Sequence, residues 1–334
     1  MAAQQLIENP RDLCPHVVLL GAGASRAAFP NGDSTGQLLP VMDDLVDILA
    51  LQPLVDEADL KIGRDRNFES IYSQLVSEPS HARLVNKIES RIDEYFSRLT
   101  LPDRATIYDR ILISLRPKDA VFTFNWDPFL FDAYQRNRDV VPLPEIFFLH
   151  GNVRIGACRQ HDRWGERNIR CPDCHQPFAH VPLLYPIRQK NYSADPYIHR
   201  NWDAAESLFA GAFTLTLYGY SAPDSDLDAV ELLRQAWLNR SARTRSARTM
   251  EHIEIIDTAP QSLLRDRWEA FTPTYHYRVV TAFEQSRIAR WPRRTCESLL
   301  YPMSQGLPCE DFPLPNTVNI AELQAHAMDI ARFE

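Results

Sequence analysis

One turn constrains this chain more than any other stretch: Val17-Val18-Leu19-Leu20 runs directly into Gly21-Ala22-Gly23-Ala24-Ser25. Four consecutive apolar residues suit a short strand buried on both faces. The Gly-Ala-Gly sequence predicts a tight turn, because glycine lets the backbone bend sharply and come close to a ligand. Ser25 reads as the N-cap of the helix beyond. A helix N-terminus so placed offers N–H groups and partial positive charge to a pyrophosphate. The full dinucleotide fingerprint has a third glycine where this chain has Ala28. By itself the turn fits a ligand-free strand-to-helix connection equally well.

The 334 residues suffice for one large α/β domain or two smaller ones. A net charge of −8 speaks against a sequence-independent grip on nucleic acid. No apolar run approaches a membrane span, and Met1 to Pro15 lacks the basic start and apolar stretch of a secretory signal. A cytoplasmic location is the resulting expectation. Six cysteines fit a reducing compartment, since Cys158, Cys171 and Cys174 sit at metal-like spacing and not in a disulfide framework.

Along the chain, several apolar runs end in polar or glycine residues. Between the first and second strands, 3.6-residue periodicity predicts helices over 41–49, 68–76, 84–99 and 107–115, a helical insertion spanning about 38–116. The run from Asp119 to Phe124 reads as a buried parallel strand closing on Asn125-Trp126-Asp127-Pro128. Ligands of open α/β sheets bind at the carboxyl ends of strands, so this Asn and Asp are well placed for chemistry. Asp127 also suits a plain helix cap ahead of Pro128 at the first helical position. Ile146 to Leu149 ends at His150-Gly151, and Phe213 to Tyr218 ends at Gly219-Tyr220-Ser221. His252 to Ile256 ends at Asp257, and an acidic residue there can accept hydrogen bonds from ribose hydroxyls. Further helices are predicted over 197–210, 227–237, 263–271 and 282–288, with a last strand over 275–280. Arg240 to Arg248 reads as an exposed loop or a basic patch for a partner. A stretch with Pro302, Pro308, Pro313 and Pro315 leads to a terminal helix over 321–333, which packs on the domain or serves an oligomer contact.

Cys158-x-x-His161 and Cys171-x-x-Cys174 form two closely spaced pairs of soft ligands, a tetrahedral zinc signature. A closed four-ligand site is structural. His175 and His180 are alternatives to His161 as the fourth ligand.

The order of these motifs, with the zinc pairs directly after His150-Gly151, resembles the Sir2 (sirtuin) family, and more closely its bacterial Sir2-like branch, over roughly residues 15–285. The resemblance implies a Rossmann-like domain over 1–300: a mostly parallel sheet with helices on both faces, the helical insertion, a zinc module at about 155–180, and a C-terminal tail over 301–334. It implies NAD+ as the ligand and structural zinc. Gly21, Ala22, Gly23, Ala24 and Ser25 would line the pyrophosphate. Asn125 matches the Asn of the family's T-Q-N-I-D motif, which holds the ribose and the attacking water, and Asp127 its Asp, which binds the nicotinamide carboxamide. His150 matches the catalytic histidine, Gly219 and Ser221 the G-T-S element on the phosphate and adenosine side, and Asp257 lies where a residue faces the adenosine ribose.

The chain also departs from the family's deacylases. The Asp-Phe-Arg element is missing after the glycine turn, Trp126 replaces a small aliphatic residue, Phe124 replaces a Gln, and a histidine joins three cysteines at the zinc. No substrate-peptide strand follows the zinc module. These differences argue against acyl-lysine recognition and leave NAD+ cleavage. The expectation is an NAD+ glycohydrolase resembling antiphage NAD+-depleting effectors, working as a homo-oligomer or beside a second protein such as an Argonaute or a HerA-type ATPase. A protein deacylase and a non-catalytic NAD+ or ADP-ribose module are the alternatives.

Overall fold

A computed structural model describes residues 15–60, 67–187, 190–238, 252–269, 277–299 and 311–332. In chain order it runs β1 (His16–Leu20), α1 (Ala22–Ala28), α2 (Leu45–Ile48), α3 (Gln52–Glu57), α4 (Phe68–Ser77), α5 (Ala82–Arg98), α6 (Ile107–Ile113), β2 (Ala120–Thr123), α7 (Phe129–Asn137) and β3 (Glu145–Phe148). There follow β4 (Ile155–Cys158), β5 (Arg163–Glu166), β6 (Ala179–His180), α8 (Pro196–Gly211), β7 (Thr214–Tyr218), α9 (Leu227–Leu238), β8 (His252–Ile256), α10 (Gln261–Trp268), β9 (Tyr277–Val280), α11 (Arg287–Arg290) and α12 (Ile320–Ala331).

Six strands form one sheet in the order β3-β2-β1-β7-β8-β9, and every pairing is parallel. Val18 of the central β1 sits beside Val121 of β2 and Thr216 of β7. Helices cover both faces, which is why β1 and β2 are buried throughout and apolar over Val17–Leu20 and Ala120–Phe122. The chain winds outward from β1 to β3, then returns across β1 to β7 and winds the other way. That reversal opens a crevice beyond the carboxyl ends of β1 and β7, where doubly wound sheets bind ligands.

The insertion between β1 and β2 is helical as expected, with local corrections. Only Leu45–Ile48 of the 41–49 stretch is helical: a turn over 42–44 precedes it, closed by Val41 N donating to Asp44 Oδ1 at 2.7 Å, and Ala50, with a left-handed φ of 52°, stops it from running on. The chain then restarts as α3, which the periodicity does not announce. α5 buries Leu84, Ile88, Ile92 and Phe96, a spacing of four that forms one apolar stripe. The expected 282–288 helix is instead a single 3-10 turn over Phe283–Gln285 followed by α11. Ser286 separates them: its backbone is extended and its hydroxyl accepts from Ala289 N at 3.2 Å, a new N-cap.

The described part of the tail packs on the domain. Leu323 and Ala327 of α12 join Ala105, Ile113 and Val141 in a small apolar cluster. Arg110 of α6 donates to the carbonyls of Pro315 at 2.9 Å and Thr317 at 2.5 Å. Arg240 to Arg248, the start of the expected 275–280 strand, and Pro302 and Pro308 lie outside the described residues. Among the described residues no helix is long and apolar enough to cross a membrane.

Two histidines begin strands at the amino edge of the sheet. His16 is buried, with its ring bonded to Thr216 at 2.8 Å and Thr295 at 2.9 Å. His252 is partly buried, and burial, with Arg287 and Arg278, pushes its pKa down to about 4. A folded pKa below the unfolded value means stability that is present above about pH 6.5 and lost as pH falls toward 4, because the unfolded chain binds the extra proton. His252→Gln is therefore expected to flatten the fall in stability below pH 6.5 by about 1.4 kcal/mol per pH unit, one proton's slope. Urea unfolding of both proteins between about pH 6.5 and 5 measures this, and parallel slopes would refute it.

Candidate active site

The glycine turn is held by protein, not shaped only for a ligand. Gly21 N donates to Tyr218 O at 3.0 Å, Gly23 N to Gly219 O at 2.9 Å, and Gly219 N to Ile256 O at 3.1 Å. A Cβ on Gly21 would lie 2.6 Å from Gly219 O, and one on Gly23 2.8 Å from Gly219 Cα. Gly219 has φ +60°, and its Cβ would lie 2.1 Å from Ala24 N. Glycine is required here because the β1 and β7 loops meet backbone to backbone. Gly219→Ala is expected to destabilise the fold by more than about 2 kcal/mol, since strain and overlap add. Its thermal melt against wild type is the check, and an unchanged melt would contradict the reading.

Two residues of the turn differ from expectation. α1 begins at Ala22 with Gly21 as its N-cap, in an extended conformation, so Ser25 lies inside the helix and caps nothing. Ala24 is 1% exposed and packs against the Gly219 backbone, away from the cavity. The N–H groups of Gly23 and Ala24 are already spent, on Gly219 O and Gly21 O. The anion-binding capacity expected of this helix end is correspondingly reduced.

Ser25 instead organises a buried polar cluster. Its hydroxyl donates to Asp127 Oδ2 at 2.6 Å and accepts from Asn125 Nδ2 at 2.9 Å. Its single hydrogen being used, the 2.5 Å contact with Tyr108 must be a donation from the tyrosine. Asn125 Nδ2 also donates to Gly21 O at 3.0 Å. With its amide hydrogens engaged, Asn125 has Oδ1 left to meet a ligand. Asp127 Oδ1 accepts from Phe129 N at 3.2 Å, so the carboxylate also steadies the start of α7. Pro128 takes the N-cap position itself, not the first helical one. Burial pushes the Asp127 carboxyl up to about 6.

His150 follows β3 and is 5% exposed. Its ring meets Phe124 edge-on at 4.6 Å, and its Nε2 lies 3.8 Å from Asp226 Oδ1. Burial holds the imidazole down to about 4, Asp226 pulling up and Lys190 pushing down. It is neutral at pH 7, so it can take a proton.

Ser25, Asn125, Asp127, His150 and Asp226 open on one cavity of about 920 Å³ beyond the carboxyl ends of the strands, with Tyr108 and Lys190 buried behind them. Gly21, Ala22, Gly23, Ser25, Asn125, Asp127, His150, Gly219, Ser221 and Asp257 line it; of the residues expected there, only Ala24 does not. Ser221 is exposed at its edge, and Asp257 is half-buried, with Oδ1 accepting from Ala259 N at 2.8 Å. Sequence reasoning missed Tyr108, Lys190 and Asp226. Tyr108 reaches Ser25 from 83 residues away, and no local spacing marks it.

The metal centre lies in a separate three-stranded antiparallel sheet, β5-β4-β6. Cys158, His161, Cys171 and Cys174 bring their ligand atoms within 4.8 Å of one another. Cys158 Sγ lies 3.5 Å from His161 Nδ1 and 3.6 Å from Cys174 Sγ, and Cys171 Sγ lies 3.7 Å from His161 Nδ1. Tetrahedral zinc with ordinary bond lengths needs edges of about 3.5–3.8 Å, so the cluster fits a zinc ion held by all four side chains. His175 and His180 are not part of it; His180 Nε2 instead lies 2.8 Å from Asp93 Oδ1 on α5. Arg167 meets the same Asp93 at 3.1 Å, tying the module to the helical insertion.

Fold and site together define a doubly wound α/β protein with a cavity of mixed polar and apolar lining at its switch point and a Cys3His cluster suited to a metal. No protein-family model and no curated protein matches the chain. Among solved structures it is similar to a Sir2 homologue in complex with NAD, at 14% identity over 83% of this chain and 87% of that one, with a TM-score of 0.34. It is also similar to a mutant Sir2 homologue in complex with ADP-ribose, at 13% identity over 97% and 96%, with a TM-score of 0.40. A third structure, described as the structural basis of sirtuin substrate affinity, is 14% identical over 79% and 88%, with a TM-score of 0.40.

Proposed function

We infer that the cavity takes NAD+ and that the chain is a Sir2-type NAD+ glycohydrolase, releasing nicotinamide and ADP-ribose. The observation that carries this reading is the convergence of Ser25, Asn125, Asp127 and His150 in one cavity at the topological switch point. The motif order of the sequence adds the resemblance.

The residue types suit the reaction. The bond between nicotinamide nitrogen and ribose breaks, and its electron pair neutralises the pyridinium. Positive charge develops at the anomeric carbon, a water oxygen bonds there, and the water's proton leaves. No strong acid is needed, because the departing nicotinamide is neutral. What accelerates the step is a fixed substrate and a placed nucleophile. Asn125 Oδ1 is the acceptor for the attacking water, Asp127 for the nicotinamide carboxamide, and neutral His150 for the proton. Gly219, Ser221 and Asp257 face the phosphate and adenosine end, and zinc stays structural.

In this reading the protein works in the cytoplasm as an antiphage effector that depletes NAD+ when triggered, by self-assembly or through a partner such as a HerA-type ATPase or an Argonaute. Product analysis with NAD+, with and without an acetyl-lysine peptide, tests the reaction class. Nicotinamide and free ADP-ribose without peptide are expected. Turnover only with peptide would make the chain a deacylase, and NAD+ binding with no turnover under any triggering condition would leave a binding module.

A further inference from the structure

The Lys190–Asp226 pair lies against His150 and has no part in the reaction as proposed above. Lys190 belongs to the segment between the zinc module and α8, yet its side chain is only 2% exposed. Its Nζ donates to Asp226 Oδ1 at 2.5 Å and to Ser225 O at 2.7 Å. Asp226 Oδ2 accepts from Tyr220 OH at 3.0 Å. The carboxylate is thus gripped from two sides while Oδ1 faces His150 Nε2 at 3.8 Å, an atom that is buried and has no hydrogen-bond partner. A buried ion pair of this kind gains little net stability, because desolvation offsets the attraction. It does fix the direction of a charge.

The geometry points to Asp226 as the positioning residue of His150, with Lys190 and Tyr220 locking its carboxylate. This rests on the NAD+ hydrolase reading. Asp226 selects the tautomer with hydrogen on Nε2, which leaves Nδ1 as the base. When Nδ1 takes a proton from a ribose hydroxyl or from water, the resulting imidazolium keeps its Nε2–H directed at a carboxylate. The charged groups around the ring are Asp226 and Lys190, with Glu69 beyond Asp226; the phenols of Tyr192 and Tyr220 complete the ionisable surroundings.

The test needs no turnover for its first readout. Long-range nitrogen–proton spectra of histidine-labelled protein at about pH 7.5, assigned with His150→Gln, report the tautomer. The Nε2–H form is expected in wild type and in Lys190→Arg, and a mixed population in Asp226→Asn. Lys190→Met, which frees the carboxylate, should also mix the forms and carries the test if Asp226→Asn does not fold. Where turnover is measured, Asp226→Asn should lower kcat by about 10- to 100-fold with KM little changed. Its acidic limb should move to lower pH, and that of Lys190→Met to higher pH, opposite shifts that a merely structural role would not produce. An Nδ1–H wild type, or a tautomer indifferent to both Asp226→Asn and Lys190→Met, overturns the assignment. Absence of turnover in every protein counts against the hydrolase reading alone.

Discussion

Replacing His150 by alanine is expected to lower NAD+ turnover by about 100- to 10,000-fold, the range for loss of a positioned general base. NAD+ affinity should change far less, because the turn, the Ser25 cluster and Asp257 remain. The ring is buried against Phe124, so some loss of stability is also expected, and thermal melts must accompany the kinetics. Asn125→Ala should give a comparable loss with a second signature. Removing its amide frees Gly21 O and one lone pair of Ser25, so this variant should loosen the turn as well. Full turnover in both variants would end the site assignment.

Loss of zinc is the other large effect. The β5-β4-β6 module is small, and its strands are only four, four and two residues long. A module of that size lacks enough core to fold without a staple, and structural zinc supplies about 10–16 kcal/mol in comparable sites. Cys171→Ser, or a strong chelator, is expected to release about one zinc per chain and open residues 155–180 to proteolysis. The effect should spread in two directions. Arg167 and His180 would release Asp93 of α5, and the following segment, which delivers Lys190 to Asp226, would lose its anchor. Metal analysis with limited proteolysis decides this; a chelated protein with an unchanged digestion pattern would contradict the structural role.

The strands were legible because their faces are covered. A strand covered on both sides is rich in apolar residues, and its end shows as a glycine or polar residue, although β7 and β8 also bury Thr214, Thr216 and Glu254 within the run. Gly21, Asn125, His150, Gly219 and Asp257 all stood out in that way. The zinc ligands were legible through local spacing, with only the choice among His161, His175 and His180 left to three-dimensional distance. Helix boundaries were harder, since local turns and caps decide them: the turn over 42–44 and the cap at Ser286 each interrupt a run that periodicity alone would continue. Ser25 shows the same limit. Serine prefers helix caps, but the extended Gly21 already fills that place, and the hydroxyl is used across the sheet.

The contacts around the site were least legible. Tyr108 to Ser25 and Lys190 to Asp226 span 83 and 36 positions and follow no period. Trp126, noted in the sequence as a bulky replacement, is 6% exposed and packs between Phe96 of α5 at 5.7 Å and Tyr185 at 5.2 Å. It docks the β2 end onto the helical insertion. Its size is therefore a packing requirement of this fold.

The most direct measurement is a calorimetric titration of NAD+ into the His150→Ala protein, which should bind without consuming the ligand. Saturable binding at one site per chain is expected. A folded His150→Ala protein that takes up no NAD+ at millimolar concentration would contradict the account.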